Sequence, residues 1–533
     1  MSAMINFLKR HSFIILLCVV FTALGGALIL RWFNTQLNPD AVSYITIAQK
    51  YAAGDIRHAI NGYWGPLLSV CMVPLLWLHV DPIIAAKVVS LAASLGILII
   101  AYWFLLRRNV SRVTAGLCCL ALAIFMFTWF TADPITPDTL FAFFTVLLAF
   151  FTVRFLQNPT WQNGVLLGAN GAVLYYTKGF GFFLFIGVAG LIVLWQWLRE
   201  RQTFLLVVKR WLPVTIVFVA LVVPFIAAIS VKYHQFTINT AGTFDHRAYG
   251  YYGLRQGNFP PVINTGEIPP LGPPNGSAVN TWEDPIASIP LLRDWSLFDS
   301  ADHFWFYISS VVGANLLIIF NFIYSHGPLL ILAFGALAAA WLRRGTFRRE
   351  YAVFGLIAVL MIVGYSLVFA EGRYLSGLVV LGALAVALEA ETLRKKHYFG
   401  KAQYIIAGLL ISVMTLVSVW QTVVGMRFVD RDWHDASLAL GKVIPDHSKV
   451  MFDTFIPAYQ TCYYLHLQCY NVVAPGDDFA AYDAKIKTAG VTYVIDYHTN
   501  DGSERFKQFA AQYFTLYYEA TISGKPITVY TVN

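Results

Sequence analysis

The sequence predicts an α-helical polytopic membrane protein that ends in a small α/β domain outside the bilayer. Three observations carry this. Of 533 residues, 58% are hydrophobic and only 12% are charged, a balance foreign to soluble domains and normal for chains that cross a membrane many times. Apolar runs of about 18 residues or more, the length that spans a bilayer, recur through residues 1–424. Residues 425–533 then switch to short alternating segments separated by polar turns, the pattern of strands and amphipathic helices.

The first run, 12–30, follows Lys9 and Arg10 and precedes Arg31. A basic flank and an apolar core also describe a signal peptide, but the length and Arg31 favour an uncleaved span. Further runs lie at 83–106, 112–130, 138–156, 180–198, 211–231, 351–369, 375–393 and 403–424, with shorter ones at 163–177 and 327–342. About eleven spans result. Basic residues cluster between alternate runs, at Lys9/Arg10, 107–112, Arg154, 199–210, 343–349 and 394–401, as the positive-inside rule requires of cytoplasmic loops. The amino terminus is then cytoplasmic, in a cytoplasmic (inner) membrane. The outer face receives loops 32–82, 131–137, 232–302 and 370–374 together with the carboxy-terminal domain. The apolar stretch 304–324 breaks this parity and is expected to lie along or dip into the outer interface. The formal charge of +8 follows topology and forms no basic face, so no nucleic-acid partner is expected; the partners implied are membrane lipids.

In residues 425–533 a helix is expected near 432–444, a strand at 449–454, a helix in DDFAAYDAKIKTAG, a strand at 491–497 and two more in TLYYEATI and KPITVYTV. This tail contains neither a glycine-rich phosphate loop nor a metal-spaced Cys/His cluster. Cys462 and Cys469 face an oxidising compartment and could pair, whereas Cys18, Cys71, Cys118 and Cys119 read as packing residues.

The ionisable residues at span ends carry the chemical information. Asp40 opens NPDAVSYITIAQKYAAGD, 38–55, which reads as an amphipathic helix on the outer surface with Val42, Ile45, Ile47 and Ala48 toward the membrane. An acid in a first turn complements the helix dipole, and that alone accounts for one carboxylate. ADPITPDTL, 132–140, adds Asp133 and Asp138 on the same side, and YYTKGFG interrupts an apolar stretch with Lys178. A lysine at membrane depth costs about 2.5–3.5 kcal/mol even on permissive scales, so an anionic partner is expected. EGRYLSG, 371–377, contributes Arg373 and Tyr374. Loop 232–302 is rich in Pro, Gly, Asn and Tyr and is expected to be an irregular lid; its aromatic rings suit sugar faces and membrane interfaces equally. Outer-rim carboxylates, cations able to hold a phosphate and an aromatic lid suggest glycosyl transfer from a lipid-phosphate donor.

These residues resemble the GT-C superfamily of polytopic glycosyltransferases, in the bacterial branch similar to protein O-mannosyltransferases and lipid A aminoarabinose transferases. The resemblance is carried by Asp40 with Tyr44, the Ala48 to Gly54 spacing, Gly65-Pro66-Leu67, Thr136-Pro137-Asp138-Thr139-Leu140, Thr177-Lys178-Gly179 and Arg373-Tyr374. It implies a GT-C-type fold over 1–424 and a polyprenyl-phosphate sugar as donor. The acceptor would be a lipid, glycan or protein, and the transfer would invert the anomeric carbon. It also implies Asp40 as the catalytic base, Asp138 or Asp133 as the second-loop acid, Lys178, Arg373 and Tyr374 at the donor phosphate, and Tyr44 at the substrate. In some members the second-loop acid helps hold a divalent metal, and the first loop often has two adjacent acids; here Ala41 follows Asp40, which weakens a metal site, and the metal question stays open. Two other readings compete: a lipid-linked saccharide flippase or transporter, which would place charges at the midplane and show repeats, and an O-antigen polymerase or ligase with a diphosphate-linked donor, using His246, Arg247 and Arg255.

Overall fold

The computed structural model describes residues 2–132, 135–198, 203–247, 278–279, 281–285, 296–325, 335, 349–396, 402–426, 431–453, 456–472, 478–498 and 504–532. The chain begins with α1 (Ser2–Arg10) and α2 (Ser12–Arg31), followed by α3 (Pro39–Ala52), α4 (Ile56–Ala59) and α5 (Pro66–Trp77). The bundle proper comprises α6 (Pro82–Arg107), α7 (Arg112–Ala132), α8 (Asp138–Gln157), α9 (Trp161–Thr177), α10 (Phe180–Leu198) and α11 (Phe204–Lys232). After the short α12 (Ala241–Arg247), α13 (Ala301–Phe306) runs through a π-helical turn, Tyr307–Val312, into α14 (Gly313–Ser325). The membrane part closes with α15 (Arg349–Leu367), α16 (Ser376–Lys395) and α17 (Ala402–Gly425).

Among the described residues, eight helical stretches are long and apolar enough to cross a membrane, and shorter apolar helices accompany them. The expected run 163–177 is α9, 17 residues long; 327–342 lies outside the described residues apart from Gly335. Burial divides the helices by position. α16 is the most enclosed, while α2 and α11 are mostly exposed within the chain, as helices facing lipid tails should be. Close approach is achieved with small residues: a Cβ on Gly168 of α9 would lie 2.4 Å from the carbonyl oxygen of Val214 on α11, and one on Gly65 would lie 2.4 Å from that of Thr177. The second contact seats the start of α5 against the end of α9, just before Lys178.

Two expectations bear on the site. First, 304–324 is part of a helical stretch, Ala301–Ile323, long and apolar enough by length and composition to cross a membrane, and it makes polar contacts at the Leu367 end of α15. Tyr307 donates its hydroxyl to the Leu367 carbonyl, and Asn315 donates to Ser366 O at 3.1 Å and accepts from Ala370 N at 3.1 Å. A Cβ on Gly372 would meet Phe322 at 3.1 Å.

Second, α3 is not a surface helix. All residues from Ala41 to Ala48 are buried, polar and apolar faces alike. The cover comes from α5, from the 278–285 segment and from the carboxy-terminal domain, which pack into one apolar cluster with Val42, Ile45 and Ala48. Loop 232–302 likewise is not wholly irregular, since α12 and a 3-10 turn at Thr281–Glu283 lie within it; 248–277 lie outside the described residues.

The carboxy-terminal domain contains α18 (Arg431–Leu440), β1 (Lys449–Phe452), α19 (Ile456–Tyr464), β2 (Gln468–Val472), α20 (Phe479–Ala489), β3 (Tyr493–Asp496), α21 (Glu504–Tyr513), β4 (Phe514–Ile522) and β5 (Lys525–Val532). The sheet order is β2-β1-β3-β5-β4; β1 pairs in parallel with β2 and β3, and β5 pairs antiparallel with β3 and β4. Side chains alternate across the sheet, so Val450 and Phe452 enter one apolar cluster and Met451 the other. Cys462 on α19 and Cys469 on β2 are joined by a disulfide.

Candidate active site

Four loop ends meet at one end of the bundle. Asp40 sits in the first turn of α3 behind Pro39, whose fixed φ suits a helix start. Asp138 is the first residue of α8 and is buried. Lys178 lies in the extended break between α9 and α10, and Arg373 lies in a 3-10 turn, Gly372–Leu375, that leads into α16.

The side chains form one ionic chain. Arg373 Nη2 donates to Asp40 Oδ2 at 2.9 Å, its Nε lies 3.6 Å from Asp138 Oδ2, and it also pairs with Glu371. Lys178 Nζ donates to Asp138 Oδ1 at 2.6 Å and stands 3.3 Å over the Tyr374 ring. Trp282 Nε1 donates to Asp40 Oδ1 at 3.2 Å. Burial makes such a network costly unless every charge is compensated, and two cations shared among three carboxylates achieve this only in part. Glu371 responds: burial, reinforced by Asp40 and Asp138 and opposed first by Arg373, pushes its carboxyl above the usual range.

The network borders a cavity of about 180 Å³ lined by Asp40, Lys178, Asp245, Glu371, Arg373 and aromatic rings. Tyr44 lies on its wall, with its ring 5.1 Å from Trp64. Tyr63, Trp64, Phe244 and Trp282 complete an edge-to-face cluster with centroids 4.6–5.8 Å apart. Aromatic edges and faces of this kind suit the alternating C–H and O–H surface of a sugar ring. Asp245, on α12, receives a hydrogen bond from the Tyr63 hydroxyl at 3.2 Å. Burial pushes its carboxyl up to about 7, against the lowering effect of the Tyr63 bond and of Lys178.

Of the residues singled out in the sequence, Asp40, Asp138, Lys178, Arg373, Tyr374 and Tyr44 are brought together. Asp133 and Arg255 lie outside the described residues. His246 follows Asp245 on α12, and its ring centroid is 6.3 Å from that of Tyr307. Sequence reasoning missed Glu371, Asp245, Trp282 and Tyr63. The signal for Trp282 was TWEDP, 281–285, a tryptophan followed by two acids in a loop rich in Pro, Gly, Asn and Tyr. The residues present do not fit a divalent cation: Asp40, Asp138 and Glu371 each face Arg373 or Lys178, and among the described residues no group of three His, Cys, Asp or Glu side chains is arranged to hold one.

Comparison with known proteins agrees with this architecture. Residues 66–227 match the family described as dolichyl-phosphate-mannose-protein mannosyltransferase. Among solved structures, ArnT from Cupriavidus metallidurans in the apo state superposes with a TM-score of 0.54 at 16% identity, covering 96% of this chain and 97% of that one. The same protein bound to undecaprenyl phosphate gives a TM-score of 0.54 at 14% identity, with the same coverage. No curated protein sequence matches the chain. Over nearly its whole length, therefore, this polytopic protein with its small carboxy-terminal sheet domain shares the fold of ArnT.

Proposed function

We propose that the protein is a membrane glycosyltransferase that moves a sugar from a polyprenyl-phosphate donor to a lipid, glycan or protein acceptor at the outer face of the inner membrane. The observation that carries this reading is the chain Asp40–Arg373–Asp138–Lys178 at the mouth of an aromatic-lined cavity. The ArnT structure with undecaprenyl phosphate supports the lipid class. The orientation, amino terminus inside and carboxy-terminal domain outside, rests on the distribution of basic loops.

The donor's phosphodiester carries one negative charge. Arg373 presents the planar fork suited to phosphate, and Lys178 adds a point charge. Both are engaged by carboxylates before donor binds, so the phosphate competes with Asp40 and Asp138 for them. Asp40 then loses its guanidinium partner at the moment an acceptor hydroxyl needs a base. The hydroxyl oxygen attacks the anomeric carbon, its proton passes to Asp40, and the bond from that carbon to the phosphate oxygen breaks with its electron pair leaving on the lipid phosphate. That phosphate gains a second negative charge, which Arg373 and Lys178 stabilise more strongly than the donor's single one.

Asp245 gives this reading a pH signature. As pH rises through about 7, Asp245 loses its proton and places a negative charge in the donor's cavity. Donor KM is expected to rise roughly three- to tenfold between pH 6 and 8, the scale of about 1 kcal/mol between partly solvated charges, with kcat changing less. Asp245→Asn should flatten the donor-KM profile.

The test is transfer of radiolabelled sugar from a panel of polyprenyl-phosphate sugars in membranes containing the protein, with crude envelope acceptor present. Label appearing in an acceptor with release of polyprenyl phosphate supports the reading. No transfer from any donor overturns it.

A further inference from the structure

The carboxy-terminal domain has no catalytic motif of its own, yet it touches the loop that bears Asp40 from two directions. From one side, α19 docks on the start of α3: Gln460, itself buried, donates Nε2 to Leu37 O at 2.7 Å, and Tyr459, Tyr463 and Tyr464 pack with the α3 cluster. From the other side, the 278–285 segment reaches the sheet. Cys469 N on β2 donates to Val279 O at 3.0 Å, and the Val279 side chain joins the domain's apolar cluster.

The same segment is tied down on α3 by Glu283, which is buried. Its Oε2 accepts from Thr46 Oγ1 at 2.9 Å and from Val279 N at 3.1 Å, and its Oε1 pairs with Lys50. Its carbonyl accepts from Asn61 Nδ2 at 2.6 Å. On either side of this anchor, Trp282 O accepts from Trp64 Nε1 at 3.0 Å, and Asp284 takes Lys232 at 2.8 Å and the Tyr233 hydroxyl at 3.0 Å. The tip is Trp282, whose indole N–H holds Asp40 Oδ1. The disulfide joins the two arms, since Cys462 lies on α19 two residues after Gln460 and Cys469 is the residue that pairs with Val279.

We propose that residues 278–279 and 281–284 form a strap through which the carboxy-terminal domain positions Asp40, with Trp282 as the positioning residue. The role assigned to Asp40 rests on the glycosyl-transfer reading above. With one oxygen held by Trp282 and the other by Arg373, Asp40 has a fixed carboxylate plane. Once a donor phosphate takes Arg373, the indole N–H is what keeps Oδ2 aimed at the acceptor. Orientation of a reacting group to within a fraction of an ångström governs rate far more than binding.

The experiment compares wild type with Trp282→Phe and with Cys462→Ser/Cys469→Ser, and with the two combined, in detergent-solubilised full-length protein. Trp282→Phe is expected to lower kcat about tenfold, with donor KM moving by no more than a few-fold because an aromatic ring stays in the cavity wall. The disulfide variant should lower kcat by a similar factor, and the combination should lose little more, the non-additivity of residues acting as one unit. A purely structural role would instead lower the thermal midpoint and raise KM. Amide hydrogen exchange over 37–48 is measured in parallel. Faster exchange in the disulfide variant supports the strap even if no donor in the panel is a substrate. Unchanged exchange, or wild-type kcat for Trp282→Phe in a preparation that Asp40→Asn inactivates, overturns the strap while leaving the transferase reading intact.

Discussion

Asp40→Asn should lower sugar transfer by about 10²–10⁴-fold, the range associated with a positioned general base, while donor binding stays within a few-fold of wild type. The amide has nearly the volume of the carboxylate, and its oxygen can still accept from Trp282 or Arg373, so the loop retains its shape. What disappears is the lone pair able to take the acceptor's proton. Removing the negative charge also removes the donor's competitor for Arg373, so donor affinity should rise slightly. A fall in kcat with equal or tighter donor binding is therefore the specific signature, measured by single-turnover transfer beside equilibrium binding of the labelled donor. Wild-type turnover in a folded, inserted Asp40→Asn protein would remove Asp40 from the mechanism.

The four charged residues were legible in the sequence because membrane chains make ionisable residues conspicuous. Lys178 interrupts an apolar stretch and Asp138 opens one, and burial at those positions demands a partner of opposite charge. Their actual pairing, Lys178 with Asp138 and Arg373 with Asp40, was not legible, because it joins positions up to 333 residues apart. Glu371, Asp245 and Trp282 escaped for the opposite reason: they sit between the long apolar runs, where a polar or aromatic residue is unremarkable until a cavity forms around it. The reading of α3 as a surface helix failed on the same ground. Its pattern of Val42, Ile45, Thr46 and Lys50 is amphipathic, but Thr46 and Lys50 are covered by Glu283, from a segment more than 230 residues downstream. In the carboxy-terminal domain β1, β3, β4 and β5 were readable from β-branched alternation. β2 was not, since QCYNV carries too few apolar residues to stand out and pairs at the edge of the sheet.

Arg373→Ala should damage both transfer and stability, and the two effects can be separated. The guanidinium compensates Asp40 and Glu371 and approaches the buried Asp138. Breaking a buried pair by removing one partner typically costs about 3–5 kcal/mol, so the variant should lose thermal stability as well as transfer. Arg373→Ala combined with Glu371→Gln removes a carboxylate stranded by the loss of Arg373, while Asp138 keeps Lys178, and should recover part of that stability. Transfer should not recover, because the phosphate has lost its bidentate donor and the charge that forms on the leaving oxygen is left to Lys178 alone; loss of one such preorganised donor is worth about 10²–10³ in rate. Arg373→Lys restores charge without the fork, and it should return stability more than activity. Thermal midpoints and transfer rates for the three variants therefore decide whether Arg373 serves the fold, the donor or both: if Arg373→Ala with Glu371→Gln regains transfer along with stability, the residue is a structural counter-ion and the phosphate is held elsewhere.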